Sequence, residues 1–214
     1  MLKADFHIHT KYSMDCNTPI EDIISRCLET GINCVNIADH DTIEGAIKLK
    51  SMAPFTIIVS EEVLTPHGEI MGMFLKERIP SGISVEQAVS RIKAQGGLVC
   101  LPHPFDTFRG LKMEAGEVHA LAEHVDVVEL FNARSTLLRC YTKARAYAAK
   151  HGIPGTAGSD AHSAGEIGST YVEMPEFSGC DDFLEALKQG KLHNQKSGFM
   201  AHFASTLARL RKSK

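Results

Sequence analysis

The sequence predicts an α/β fold with a largely parallel sheet. Apolar strand-like runs alternate with amphipathic stretches of helical spacing, about seven such units fit into 214 residues, and no linker, repeat or low-complexity block interrupts them. That spacing suits a small or irregular barrel. With 43% hydrophobic and 23% charged residues the whole chain, 1–214, reads as one globular domain able to bury a core without disulfides.

Taken in order, Leu2 to His9 is the first strand. Thr18-Pro19-Ile20-Glu21 then opens a helix, read as a capping box with proline at the first helical position, and Gly31 closes it. Ile20, Ile23, Ile24, Cys27 and Leu28 supply its apolar stripe. A strand from Cys34 to Ala38 and a helix from about Thr42 to Met52 follow. Phe55 to Val59 and Ile70 to Leu75 are strands that can pair as a hairpin around Pro66 and Gly68. Ser84-Val85-Glu86-Gln87 is a second capping box, with the helix ending near Gly96-Gly97 and a buried strand from Leu98 to Leu101. A shorter helix from about Met113 to His124, a strand from Val125 to Phe131 and a helix from Ser135 to Lys150 come next. Another strand approaches Gly158, Tyr171 to Met174 reads as an edge strand, and Asp181 to Gln189 is the last helix.

Charge and composition exclude several classes of function. The 23 Lys+Arg against 26 Asp+Glu give a net charge of −3, unlike a surface built throughout to attract nucleic acid or anionic lipid. The basic stretch at about 200–214 reads as a solvated tail. Six cysteines without a Cys-x-x-Cys pair read as reduced thiols. With no signal-like start and no apolar run of membrane-spanning length, a cytoplasmic protein with no membrane association is expected. No obligate protein partner is evident.

The unusual feature is 11 histidines with no tryptophan. Asp5, His7 and His9 alternate along the first strand, so a two-residue period puts all three on one face as a metal half-site. The pattern recurs at later strand ends: Ala38-Asp39-His40-Asp41, Glu61-Glu62, Pro102-His103-Pro104 and Gly158-Ser159-Asp160-Ala161-His162. A barrel gathers such ends at one mouth. Imidazoles with carboxylates and no thiolate cluster suit Zn, Mn or Fe, and eight or nine candidates imply two or three ions with a bridging carboxylate. Cys16 and Cys100 read as buried neighbours, and His119, His124, His151, His193 and His202 as surface or cap residues.

These motifs, together with Asp5-Phe6-His7-Ile8-His9-Thr10, Tyr12-Ser13-Met14-Asp15 and Glu129-Leu130-Phe131-Asn132-Ala133-Arg134, resemble the polymerase-and-histidinol-phosphatase (PHP) family of metal-dependent phosphoesterases over residues 3 to 190. The resemblance implies a distorted seven-stranded (β/α) TIM-like barrel. It also implies two or three divalent ions (Mn, Fe or Zn) and hydrolysis of a phosphomonoester or phosphodiester by metal-activated hydroxide. The implied ligands are His7, His9, Asp15, His40, Glu62, His103, Asp160 and His162, with Glu62 bridging two metals and Asp15, His40 and His162 at a third position. One family histidine falls on Glu69, with His67 two residues earlier; register favours Glu69. Asp160, His162, Glu62 and Arg134 are the catalytic candidates, with Arg134 or Arg109 for the substrate phosphate and Glu129 and Asn132 as supporting groups. Only Lys76 to Ile83 stands where relatives carry a lid, so a relatively open mouth is expected. The partner the resemblance implies is a small phosphorylated substrate, nucleotide or oligonucleotide. An amidohydrolase and a non-catalytic metal-binding module are the alternatives; no lysine stands where an amidohydrolase needs one.

Overall fold

A computed structural model describes residues 1–113, 115–135 and 137–194. In chain order the strands are β1 (Leu2–Ile8), β2 (Cys34–Ile37), β3 (Thr56–Thr65), β4 (Gly68–Met73), β5 (Leu98–Leu101), β6 (Val127–Asn132), β7 (Gly155–Gly158), β8 (Thr170–Met174) and β9 (Lys191–Asn194). The helices are α1 (Ile20–Thr30), α2 (Glu44–Met52), α3 (Val85–Ala94), α4 (Ala115–Leu121), α5 (Leu138–His151) and α6 (Cys180–Lys188).

The strands form one sheet in the order β7-β6-β5-β4-β3-β2-β1-β8-β9. Beyond its strand end β7 returns to β1: His9 N donates to Ala161 O at 2.9 Å and Ala161 N to His7 O at 3.3 Å, a parallel bridge between Ile8 and Ala161. The sheet is therefore nearly closed and barrel-like. Among the described residues nine strands stand where seven were expected, because β8 and β9 extend the sheet on the far side of β1.

The pairing is mixed where a largely parallel sheet was expected. β1 with β2, β2 with β3, β5 with β6 and β6 with β7 are parallel, whereas β3 with β4, β4 with β5, β1 with β8 and β8 with β9 are antiparallel. Pro66 and His67 alone separate β3 from β4, too short a connection for a crossover, so the two form a hairpin. β8 is an interior strand, flanked by β1 and β9, and not the expected edge.

Helix starts differ in how they are capped. At α3 the capping box forms: Ser84 Oγ accepts from Gln87 N and Gln87 Oε1 accepts from Ser84 N. At α1 it does not. Pro19 precedes the first helical residue with no side-chain cap, and the Thr18 hydroxyl instead donates to His162 O at 2.8 Å, tying the β1 loop to the loop after β7. Gly31, at φ 74°, ends α1 in the left-handed conformation.

Two apolar layers hold the sheet. Ile20, Ile23, Leu49 and Ile92 pack helices on its outside, and Ala4, Phe6, Ile58 and Met71 fill its inside together with Phe183 of α6. Each fully buried large side chain of this kind contributes roughly 1.5–3 kcal/mol. No helix among the described residues is long and apolar enough to cross a membrane. The tail at 200–214, His202 and the His119 side chain lie outside the described set.

Candidate metal centre

The strand alternation expected for β1 breaks at its end. Leu2, Ala4 and Phe6 lie in the inner apolar layer but Ile8 lies in the outer one, and the β1–β2 register shifts between Asp5 and Ile8. Such an irregularity re-aims side chains next to a site. His7 and His9 both reach the mouth, with Nε2 atoms 3.2 Å apart, whereas Asp5 does not join them. Asp5 accepts from Ser159 N at 2.9 Å and Gly168 N at 3.2 Å, and its burial raises its pKa to about 6. It braces β1 against the segment after β7.

Glu62 stands at the centre. Its Oε1 lies 3.1 Å from His103 Nε2, and its Oε2 lies 3.3 Å from His7 Nε2, 3.5 Å from His9 Nε2 and 3.7 Å from His40 Nδ1. A parallel bridge between His40 and Glu62 sets the relative position of their strand ends. Asp160 Oδ1 lies 3.4 Å from His9 Nε2 and 3.8 Å from His7 Nε2. Asp15 Oδ2 is shared by His40 Nε2 at 3.3 Å and His162 Nε2 at 3.0 Å. These atoms form four overlapping groups: His7, Glu62 and His103; His7, His9 and Asp160; His9, His40 and Glu62; His9, Asp15 and His162. In each the donor atoms lie within 4.8 Å of one another.

The two hairpin alternatives, Glu69 and His67, lie in different places. The Glu69 carboxylate oxygens lie 3.5 Å from His103 Nε2 and 3.8 Å from His40 Nδ1, while His67 sits exposed on the β3–β4 turn. Glu61 points away and accepts from Ile79 N, and Asp39 accepts from Thr10 N and Thr10 Oγ1. Neither joins the cluster. Cys16 is buried beneath it, with its sulfur near His9 O and His162 O and its pKa raised by burial to about 11.

Supporting groups orient the imidazoles. Glu129 Oε1 lies 3.0 Å from His7 Nδ1 while its Oε2 accepts from His103 N at 2.7 Å and from Asn132 Nδ2 at 3.1 Å. Both His103 (φ 27°) and Asp160 (φ 52°) have positive φ, a conformation costly for non-glycine residues and concentrated at functional sites. Arg134 is buried and donates to Asp160 O at 3.4 Å, a place suited to supporting that strained turn. Arg109 instead lies at the mouth. Its guanidinium pairs with Asp160 Oδ2 and reaches Asn132 Oδ1 at 3.4 Å, with its side chain about one-third exposed. The sequence offers Arg109 only as one of two arginines, because a loop position carries no period from which direction can be read.

The donor set fits divalent cations. Five imidazoles and four carboxylates converge, and Asp160 Oδ1 and Glu69 Oε2 are buried acceptors without a hydrogen-bond donor. Lone pairs facing lone pairs in a buried place are unfavourable unless positive charge lies between them. Burial and then the surrounding imidazoles, His162 first, push His9 down to about 3, leaving a neutral donor. Burial opposes ionisation of Glu62 and Asp160, but His7 and His103 around the first and Arg109 and His7 around the second hold both well below the usual carboxylate range.

Above the cluster lies a cavity of about 290 Å³. Asp15, His40, Glu69 and Arg109 line it, as do Met14, Leu64 and Phe108. Phe108 had no signal in the sequence, since a loop position carries no period that shows which way its side chain points.

A barrel-like sheet carries a histidine and carboxylate cluster at its strand ends, and comparison with known proteins shows the family. The PHP domain pattern matches residues 5–62 and the PHP-associated pattern residues 141–192. The uncharacterized protein MJ0417 of Methanocaldococcus jannaschii is 33% identical over 197 residues, covering 87% of this chain and 79% of that protein. The chain belongs to the PHP family. Three solved structures share the fold. A two-domain protein from Bacteroides vulgatus containing a predicted PHP-like metal-dependent phosphoesterase aligns with TM-score 0.74 and 18% identity, over 90% of this chain and 64% of that one. The lesion-specific endonuclease of Pyrococcus furiosus gives 0.65 and 16%, over 89% and 57%. An amidohydrolase of Chromobacterium violaceum gives 0.61 and 17%, over 76% and 88%.

Proposed function

We propose that the protein is a metal-dependent phosphoesterase that hydrolyses a phosphomonoester or phosphodiester of a small molecule, nucleotide or oligonucleotide. The observation that carries this reading is Glu62: its two oxygens face different imidazoles, His103 on one side and His7 and His9 on the other, as a carboxylate shared between two cations requires. His7, His9, Asp160, His103 and Glu69 would complete those positions, and Asp15, His40 and His162 a third. Two or three divalent ions bound there would acidify water and neutralise charge on a phosphoryl group.

The rest of the chemistry falls to the chain itself. Water adds to phosphorus, the bond from phosphorus to the ester oxygen breaks, and the departing alcohol keeps the proton that water loses. Arg109 carries N–H donors at the mouth beside Asp160, where a guanidinium can bind two phosphoryl oxygens and fix the line of attack. Arg134 and Glu129 act as positioning residues, the first on the Asp160 turn and the second on His7 and His103. No side-chain nucleophile is needed, and Cys16, held as a buried thiol, is unsuited to be one.

The test is hydrolysis of a panel of phosphomonoesters and phosphodiesters by manganese-, iron- or zinc-reconstituted protein. Release of phosphate or alcohol that is lost on chelation and in Asp160→Asn is expected; no release from any ester with metal bound would overturn the reading. The amidohydrolase alternative rests on the shared fold of the Chromobacterium violaceum protein, and hydrolysis of a carbon–nitrogen bond in place of the phosphoesters would favour it.

A further inference from the structure

Large apolar side chains left exposed one by one need no explanation, but three of them converge here. Met14, Leu64 and Phe108 are 41%, 45% and 80% exposed, and all line the cavity above the cluster. They come from separate parts of the chain: the β1 loop, the β3–β4 hairpin and the loop after β5.

The position of Phe108 is built. Asp106 Oδ1 accepts from Phe108 N at 3.0 Å and Arg109 N at 3.3 Å, and Ser135 Oγ donates to Asp106 Oδ2 at 2.7 Å. Lys112 N donates to His67 O at 2.7 Å, which pins the loop to the hairpin turn. Gly110 fits the tight return of the loop, since a Cβ there would stand 2.6 Å from Asp106 O. A pinned loop thus presents an aromatic ring to solvent in the residue before Arg109. A phosphoryl group held by Arg109 leaves its alcohol portion within the same cavity, which Phe108, Met14 and Leu64 also line.

We infer that Phe108, which lines the cavity together with Met14 and Leu64, selects phosphoesters whose alcohol portion carries a flat aryl group, an inference that rests on the phosphoesterase reading above. An aryl ring gains offset or edge contact with Phe108 that an alkyl chain does not.

Binding separates this inference from the activity. Manganese-loaded protein is titrated calorimetrically with benzylphosphonate and ethylphosphonate, neither of which can be hydrolysed at a phosphoester bond. Benzylphosphonate is expected to bind about tenfold tighter, with the preference closing to about one in Phe108→Ala and retained in Phe108→Trp. Equal affinities in the unaltered protein, no binding of either, or a preference unchanged in Phe108→Ala would overturn it. Parallel assays with benzyl phosphate and ethyl phosphate, whose alcohols differ little in acidity, report on the underlying reading. Hydrolysis of both esters without aryl preference leaves the phosphoesterase standing and removes the selectivity. Aryl-selective binding without hydrolysis of any ester supports the selectivity and removes the phosphoesterase.

Discussion

A Cβ on Gly158 would stand 2.3 Å from the Cβ of His7 and 2.7 Å from its backbone nitrogen. The last parallel strand reaches the first only because position 158 carries no side chain, and this approach places Asp160 and His162 beside His7 and His9. Gly158→Ala is therefore expected to destabilise the protein by about 2 kcal/mol or more through overpacking, and to weaken metal binding. Urea unfolding with and without added manganese measures both; an unchanged midpoint and unchanged metal binding would show that this contact does not govern the site.

Glu69 and His67 differ in a way that a pair of substitutions resolves. Glu69 faces His103 and His40, and His67 lies exposed on the turn. Glu69→Ala is expected to lower metal stoichiometry or affinity while His67→Ala leaves both unchanged, as read by equilibrium dialysis and elemental analysis. The reverse pattern would move the ligand to His67.

Glu129 is buried and holds His7 Nδ1 and His103 N. Glu129→Gln keeps the size and removes the charge, so metal affinity is expected to fall about 10- to 100-fold. A competition titration against a chelator reads that change, and undiminished affinity would reduce Glu129 to a packing group.

Arg109 and Arg134 are separated by place. Arg109→Lys, which loses the planar two-bond geometry, is expected to raise KM for a phosphoester about tenfold. Arg134→Lys is expected chiefly to lower stability, because its guanidinium is buried on the Asp160 turn. Steady-state kinetics and thermal unfolding on both variants distinguish the roles, and a KM effect confined to Arg134→Lys would exchange them.

Much of the site was legible because metal-binding donors are chemically conspicuous and fall at strand ends. What escaped depended on three-dimensional detail. Asp5 obeyed the two-residue period on paper, but the irregularity between Asp5 and Ile8 turned it into a brace. Thr18 carries the capping-box pattern, but its hydroxyl finds His162 O across the barrel seam. Ser84 has no such competitor and caps α3 as its sequence predicts. β9, Lys191–Asn194, is four residues of mixed polarity and gains strand geometry only by pairing with β8. The β3–β4 hairpin was expected and its two-residue connection imposes antiparallel pairing, whereas the antiparallel pairing of β4 with β5 and of β8 with β1 and β9 was not.

The most direct measurement is elemental analysis of protein purified without chelators and then equilibrated with manganese, iron or zinc, compared with His9→Ala and Asp160→Ala. About two or three divalent ions per chain are expected, with at least one lost in each variant while circular dichroism shows the fold retained. A folded protein that takes up none of these metals would contradict the central claim that the clustered imidazoles and carboxylates form a metal centre.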